Sequence, residues 1–431
     1  MTSPAADPVV ISLRPTDAER IKELEEIVWF SVSPGLAAED VVRTLDFTRA
    51  RAIEAGPARD GGPAPLASMY AHWLMGLTVP GPLGDLTRIP MSGLTWVAVH
   101  PDHRRRGLLS RMMRDHLHGV HETGEAAVAG LHASETGIYG RFGYGTASMD
   151  IQLNLGRGAD LRAPEHVARA AERVRTSLHS ADRDDVAAEL QQAHLSSAAR
   201  VLGAVTRGDD VHREWYRDYP TARGEKEPWR VLLARRDDEL VGYAVLRRTS
   251  RWSDTGNPEG EVSVTELSAV DAPALLALAR RLIDFDLTAK VRIWARSTDD
   301  PLVWWAGGPR PVSLRAMDAL WVRLVDVDRA LEARGYAAPC DVVLDVTDAL
   351  CPWNAGRWRL TVSAAGSGRC VRTEDDADLA LDVSVLGAAY LGGRSIAAQA
   401  AAGLVTGEQA AVRELSRAMR ADSEPFGAIG F

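Results

Sequence analysis

The sequence predicts an α/β (α+β) chain made of two similar α/β units and a third unit of different pattern. Two observations carry this. Strand-like runs alternate with amphipathic helices from residue 9 to about 325, and the local order strand, helix, strand occurs in both halves of that span. From residue 326 the pattern changes to short strands followed by Ala-rich helices. A chain of 431 residues also exceeds what one core usually organises. The expected units are 1–155, 156–325 and 326–431.

Residues 9–14 alternate like a strand, and Thr16-Asp17 can cap a helix through Ile21, Leu24, Ile27 and Val28. A second helix is expected over 38–55. Gly61-Gly62-Pro63 breaks the chain before a hydrophobic, hairpin-like stretch at 66–80. Residues 94–99 read as a buried strand. Residues 105–120 read as a helix with Leu109, Met112, Met113, Leu117 and Val120 on one face, and 126–132 as a strand. Gly156-Arg157-Gly158 and Pro164 mark a linker. Beyond it, 231–248 has the pattern of a hairpin around a charged turn, followed by a strand at 262–269, a helix at 273–284 and a strand at 291–296. The last unit shows strands at 341–346, 358–363 and 369–372, helices at 384–391, 395–403 and 407–421, and a tail at 423–431.

The formal net charge of −9 argues against nucleic acid as a partner and suits a cationic one, such as an amine. Lysine occurs only at Lys22, Lys226 and Lys290, with arginine in its place everywhere else, which reads as codon bias. The first residues lack a basic segment followed by an apolar one, and no apolar run is long enough to span a membrane, so a cytoplasmic protein without membrane insertion is expected. Cys340, Cys351 and Cys370 are odd in number and widely spaced, as expected of buried thiols rather than metal ligands or disulfides. No metal is expected.

The strongest motif is VAVHPDHRRRGLLSRMM at 97–113, where a strand runs through a turn into a helix. The first backbone N–H groups of a helix have no internal partner, and the helix dipole places partial positive charge there. Arg104, Arg105 and Arg106 add charge, and Gly107 removes a Cβ from the path of a bulky anion. A solvated basic helix start is the plainer reading, but a buried strand feeding the turn favours a diphosphate site. A second motif, SETGIYGRFGYG at 134–145, interleaves aromatics and glycines. Phe142 reads as packing. His132 and Glu135 read as a strand-end histidine and a helix-start acid rather than as bases. The third signal is the apolar end, Phe-Gly-Ala-Ile-Gly-Phe, which on its own residues reads as a frayed terminus or a packing plug.

The 97–113 motif resembles the pyrophosphate loop of the GNAT acetyltransferases, Arg/Gln-x-x-Gly-x-Gly/Ala, with Arg104 and Gly107 in the first two fixed positions and Leu109 departing from the small third. Arg-Arg-Arg-Gly-Leu-Leu is similar to the loop of the Eis-like branch, and the resemblance covers the whole chain. It implies tandem GNAT domains, the second degenerate, followed by a sterol-carrier-protein-like domain. It implies acetyl-CoA as co-substrate, with the backbone of Val97, Ala98 and Val99 pairing with the pantetheine arm. Arg104, Arg105, Arg106, Gly107, Leu108 and Leu109 would receive the diphosphate, and Ser134 would lie near the thioester. Tyr139 would be the general acid. A phenol with a pKa of about 10 can protonate a leaving thiolate whose conjugate acid has a pKa of about 8.5. Tyr144 is the alternative, since the residues alone do not say which ring faces the sulfur.

The resemblance also assigns the α-carboxylate of Phe431 as general base. Its ordinary pKa of about 3.5 is low for that task, and burial would raise it. The acceptor would be a cationic amine, an aminoglycoside or polyamine-like molecule or a lysine side chain, entering between the N-terminal helices and the C-terminal domain. Glu25, Glu26 and Trp29 are candidate contacts. Some members carry an acid before the terminal Phe; here that position is Gly430. The resemblance further suggests a homo-oligomer, a hexamer. The second unit reads Val270-Asp271-Ala272-Pro273 where a phosphate loop would stand, so it is expected to be silent: Asp271 repels a diphosphate and Pro273 removes a donor. The alternative function is a non-catalytic CoA- or lipid-binding module.

Overall fold

A computed structural model describes residues 8–30, 35–56 and 62–431. Gly61 of the expected chain break lies outside them. The N-terminal region forms β1 (Ile11–Ser12), α1 (Ala18–Trp29), α2 (Ala38–Val41), β2 (Ala50–Glu54), β3 (Leu66–Pro80), β4 (Leu86–Val99), α3 (Leu108–Thr123), β5 (Val128–His132), β6 (Gly145–Thr146) and β7 (Met149–Gly156). The pairs β1–β2, β2–β3 and β3–β4 are antiparallel, and β4 runs parallel to β5. One face of this sheet packs against α1 and α2 through Ile21, Leu24, Met69 and Ala71. The other packs against α3 through Met112, Met113, Leu117 and Val120, all less than 2% exposed, as the helical spacing predicts.

Three local expectations need correction. The helix expected over 38–55 ends at Val41; Asp46 then accepts from the Thr48 amide at 2.9 Å, turns the chain through Phe47–Arg49, and releases it into β2. Ala50–Glu54 is strand because β3 pairs with it, a long-range cause that local periodicity does not carry. The 66–80 stretch is one strand of 15 residues, and the hairpin is the β3–β4 pair. The helix expected from 105 starts at Leu108, because Arg105 and Gly107 both take positive φ, 61° and 77°.

The middle of the chain adds α4 (Glu165–Ala171), β8 (Arg175–Ser180), α5 (Asp184–Ala198), β9 (Val205–Thr206), α6 (Asp209–Trp215), β10 (Arg230–Arg236), β11 (Glu239–Thr249), β12 (Gly260–Ala269), α7 (Ala272–Ile283), β13 (Thr288–Arg296), the short helix Pro301–Trp305, β14 (Arg315–Asp318) and β15 (Leu320–Leu324). The second sheet runs β14-β7-β13-β12-β11-β10-β8. The two sheets therefore exchange strands: β7 leaves the first and joins β13 in the second, and β15 returns to sit between β5 and β6. The expected divisions at 155/156 and 325/326 describe chain order and do not say which sheet a strand joins.

β15 is held in place by burial. Leu320, Val322 and Leu324 are fully buried, and the fully buried guanidinium of Arg323 meets the Asp348 carboxylate at 2.6 Å. That pair ties the first sheet to the last region. There the strands Cys340–Thr347, Gly356–Val362, Gly368–Arg372, Leu379–Asp382 and Val405–Gly407 form a five-stranded sheet with helices Val383–Ala389, Ile396–Ala401 and Gln409–Met419. One continuous core joins Trp73, Met75 and Leu77 of β3 to Leu344, Tyr390 and Ile429. The C-terminal region thus covers the same sheet face as α1 and α2. Cys340, Cys351 and Cys370 are free and buried, and burial pushes each thiol up to about 12.

Candidate active site

β4 and β5 pair only from Met91–Gly93 to Val128–Gly130, and then part. Along its other edge β4 slips by one residue against β3: Met69 pairs with Ala98 and Ala71 with Thr95. The extra residue is a bulge at Trp96, whose φ is 54°. A notch therefore opens between the ends of two adjacent parallel strands. Val97, Ala98 and Val99 form its β4 wall, with Ala98 buried and the two valines half-buried.

Past Val99 the chain turns through Pro101–His103 into α3. The helix is capped by Gly107, which has no side chain to spend on its first amides, and no side-chain bond to them is found among the described residues. Arg104, Arg105, Arg106 and Gly107 are exposed, Leu108 is buried and Leu109 half-buried. A Cβ on Gly107 would meet nothing within 4 Å, so its φ of 77° rather than crowding calls for glycine. The start of α3 is thus an open, positively charged cradle at the mouth of the notch. These features fit a diphosphate.

Tyr139 and Tyr144 lie on the α3 face with Leu94, Leu131 and Val97, and their rings meet edge-on at 6.0 Å. Their hydroxyls differ. Tyr144 is 1% exposed and its hydroxyl is buried without a partner among the described residues; Tyr139 is 9% exposed. Burial pushes the Tyr139 phenol up to about 12, with Glu135 adding to the shift, so it stays protonated and able to donate. Ser134 is exposed two residues past the end of β5.

On the opposite face the C-terminal tail arrives. A Cβ on Gly93, the last residue of β4 paired with β5, would lie 3.0 Å from the Phe431 ring. That ring also meets His132, at the end of β5, edge-on at 4.9 Å. Burial brings the His132 imidazole down to about 4, so it is neutral near pH 7. Gly430 O accepts from Arg207 at 2.7 Å, and the Gly427 amide donates to Asp150 at 3.2 Å. Burial raises the Asp150 carboxyl to about 6. Tyr139 and Phe431 therefore flank the same notch from its two faces.

In α1, Glu25 is 7% exposed with one carboxylate oxygen buried and unpartnered among the described residues, and burial raises its pKa to about 7. Glu26 is exposed and reaches Lys22 at 3.7 Å, and Trp29 is 36% exposed. Of the expected acids, only Glu25 is buried on the side where α1 meets the sheet. A separate cleft of about 550 Å³ runs along α3 between Arg51, Tyr70, His72 and His116; it shares no residue with the notch. Among the described residues no group of three or more metal-ligating side chains is found.

Sequence reasoning missed Gly93, Asp150 and Arg207. Gly93 carried a weak signal as a glycine inside a strand. Arg207 carried none, being one arginine among many.

Family profiles match an Acetyltransferase (GNAT) domain at residues 66–147, a second at 203–324, and a Sterol carrier protein domain at 327–427. An N-acetyltransferase of Streptomyces avermitilis is 41% identical over 329 residues, 76% of this chain and 78% of that protein. The N-acetyltransferase Eis of Mycobacterium tuberculosis is 33% identical over 377 residues, 84% of this chain and 86% of that protein. The crystal structure of Eis1 from Mycobacterium abscessus superposes with a TM-score of 0.77 at 29% identity, covering 98% of this chain and all of that one. A GCN5-related N-acetyltransferase from Anabaena variabilis shares the fold, with a TM-score of 0.79 at 18% identity and cover of 99% and 100%. With two GNAT domains, a sterol-carrier domain and Eis relatives matched along most of its length, the chain belongs to the Eis-like N-acetyltransferases of the GNAT family.

Proposed function

We propose that the enzyme transfers an acetyl group directly from acetyl-CoA to an amine of a cationic small molecule, aminoglycoside or polyamine-like, or to a lysine side chain. Tyr139 is the general acid and the Phe431 carboxylate the general base. The observation that carries the reading is the convergence of the chain's own C terminus and Tyr139 on the notch between β4 and β5.

In this reading the diphosphate rests on the amides of Leu108 and Leu109, with Arg104, Arg105 and Arg106 around it. The pantetheine arm pairs with the backbone of Val97, Ala98 and Val99, and Ser134 lies near the thioester. Glu25, whose carboxylate keeps one oxygen without a partner among the described residues, and the neighbouring Glu26 and Trp29 receive the cationic acceptor. The amine attacks the thioester carbonyl and gives up a proton toward the Phe431 carboxylate. As the C–S bond breaks, the sulfur takes a proton from the Tyr139 hydroxyl. Holding the amine in line accounts for much of the rate, because positioning alone contributes about 7–11 kcal/mol in well-oriented systems. The open aromatic edge of α1 and the net charge of −9 favour a cationic acceptor. Assembly as a hexamer and a cytoplasmic location belong to the same proposal.

The test follows free thiol on incubation with acetyl-CoA and a panel of aminoglycosides, polyamines and lysine peptides. Turnover with at least one such amine is expected. Tight coenzyme binding without turnover on any of them contradicts the reading.

A further inference from the structure

The second GNAT-like domain has a closed helix start, yet it touches the active site through the tail. Most of the polar contacts of residues 424–430 run to the second GNAT-like domain, two of them to Leu202 and Arg207, which flank the short strand β9 paired with β3. Glu424 donates its amide to Asp299 at 3.0 Å and accepts from the Ser297 hydroxyl at 3.1 Å. The Phe426 amide donates to Leu202 O at 3.0 Å, beside Gly203, where a Cβ would press on Phe426 at 3.1 Å. The Phe426 ring lies 5.4 Å from the Arg296 guanidinium. Gly427 bonds to Asp150 in β7, a strand of the second sheet, and Gly430 to Arg207. The Phe431 ring crosses to the first sheet at Gly93 and His132, and Ile429 packs in the core that holds Trp73, Met75 and Leu77 of β3.

Arg207 is built for this contact. It is 2% exposed, its Nη1 donates to Tyr216 and Glu266 at 3.2 Å each, and its guanidinium stacks 4.0 Å from the Trp215 ring. Its Nη2 holds the last carbonyl before the terminus, and its Nε is buried without a partner among the described residues. Its charge is matched by Glu266, and no ion pair from the described residues reaches the Phe431 carboxylate. An arginine placed directly on that carboxylate would stabilise its ionised form and weaken it as a base. One placed on the preceding carbonyl fixes its position and leaves its basicity to the surroundings.

We propose that the second domain is the holder of the chain's own C terminus, and that Arg207 is the residue that positions the Phe431 carboxylate at the notch. The inference rests on the reading of Phe431 as general base. Arg207 is a positioning residue: it acts through Phe431 and touches neither substrate.

The experiment is a double-mutant cycle in the full chain between Arg207→Lys and a single glycine added after Phe431. Lysine keeps the charge opposite Glu266 but loses the fork that reaches Tyr216, Glu266 and Gly430 together. Each change alone is expected to lower kcat by about tenfold or more with the KM for acetyl-CoA unchanged, since a small misplacement at the chemistry is enough. Combined, they are expected to lose little beyond the larger single effect. Release of Phe431 by a carboxypeptidase is expected to be about tenfold faster in Arg207→Lys than in the parent chain, by analogy with local opening in other loosened segments. Full activity of Arg207→Lys, or losses that multiply independently, overturns the positioning role while the base reading stands. Full activity of the extended chain overturns the base reading, and the carboxypeptidase rate then decides on its own whether Arg207 holds the tail. Should Arg207→Lys fail to fold, Glu266→Gln loosens the same guanidinium; unchanged kcat and unchanged Phe431 release in that variant overturn the inference.

Discussion

The two GNAT domains of this chain begin the same helix in opposite ways. α3 starts at Gly107 with its first amides free of side-chain caps and three arginines exposed around them. α7 starts at Asp271, whose carboxylate accepts from the Ala274 amide at 2.9 Å and pairs with Arg236 at 2.8 Å, and Pro273 has no amide to offer. The strand pairs before them differ too. Beyond Val264 and Ile293, where β12 and β13 part, Arg296 fills the gap, bonding to Leu267 O and, at 2.6 Å, to Asp300. A helix start is an anion site only while its donors are left unspent. The second domain has spent them on its own stability, and its surface is free for the tail.

Breaking that contrast gives the largest expected effect. Replacing Arg104 and Arg105 together by Glu should raise the KM for acetyl-CoA by about a hundredfold or more, because two charge-assisted contacts become repulsions. Asp271→Asn in α7 should leave that KM untouched. Steady-state kinetics on the two variants checks both.

Next is the contrast between the two tyrosines. Tyr139→Phe should lower kcat by about 10²-fold, the usual scale of a lost general acid, with coenzyme affinity unchanged in calorimetry. Tyr144→Phe should leave kcat unchanged and stability level or slightly higher, because it removes a hydroxyl that is buried without a described partner. Equal losses in both would move the proton donor elsewhere.

Glu25 gives a smaller effect that depends on pH. Its folded pKa of about 7 lies above its ordinary value of 4.5, so the folded state holds the proton more tightly than the unfolded one. Stability is then highest below pH 4.5 and declines as pH rises to about 7. Glu25→Gln should remove this slope, raising stability by about 1–3 kcal/mol at pH 8 with no change at pH 4. It should also weaken binding of the amine, because it removes a carboxyl group that a bound cation would hold in its ionised form. Thermal melts at the two pH values, with amine KM alongside, test both signs.

The smallest expected effect is at the cap of α7. Asp271→Ala should cost about 1 kcal/mol of stability, the worth of a side-chain N-cap, and leave activity unchanged. Equilibrium denaturation reads it directly.

Much of this contrast was legible in the sequence. Gly107 against Asp271, and three arginines against Pro273, separate an open helix start from a closed one without coordinates. The α3 stripe of Met112, Met113, Leu117 and Val120 likewise follows from helical spacing. What the sequence hid is long-range. β2 is a strand only because β3 lies beside it, and the β7–β15 exchange depends on pairings across more than 130 residues. The bulge at Trp96, which widens the notch, is a slip of register with no composition signature. Arg207 was invisible because its partners Tyr216, Glu266 and Gly430 meet only in the folded chain.

The central claim is one open coenzyme cradle per chain, at the start of α3. Titration calorimetry of the full chain with coenzyme A tests it most directly. The account predicts one site per chain, abolished by Arg104→Glu with Arg105→Glu and unaffected by Asp271→Asn. Two sites per chain, or uptake that survives reversal of both arginines, would contradict it.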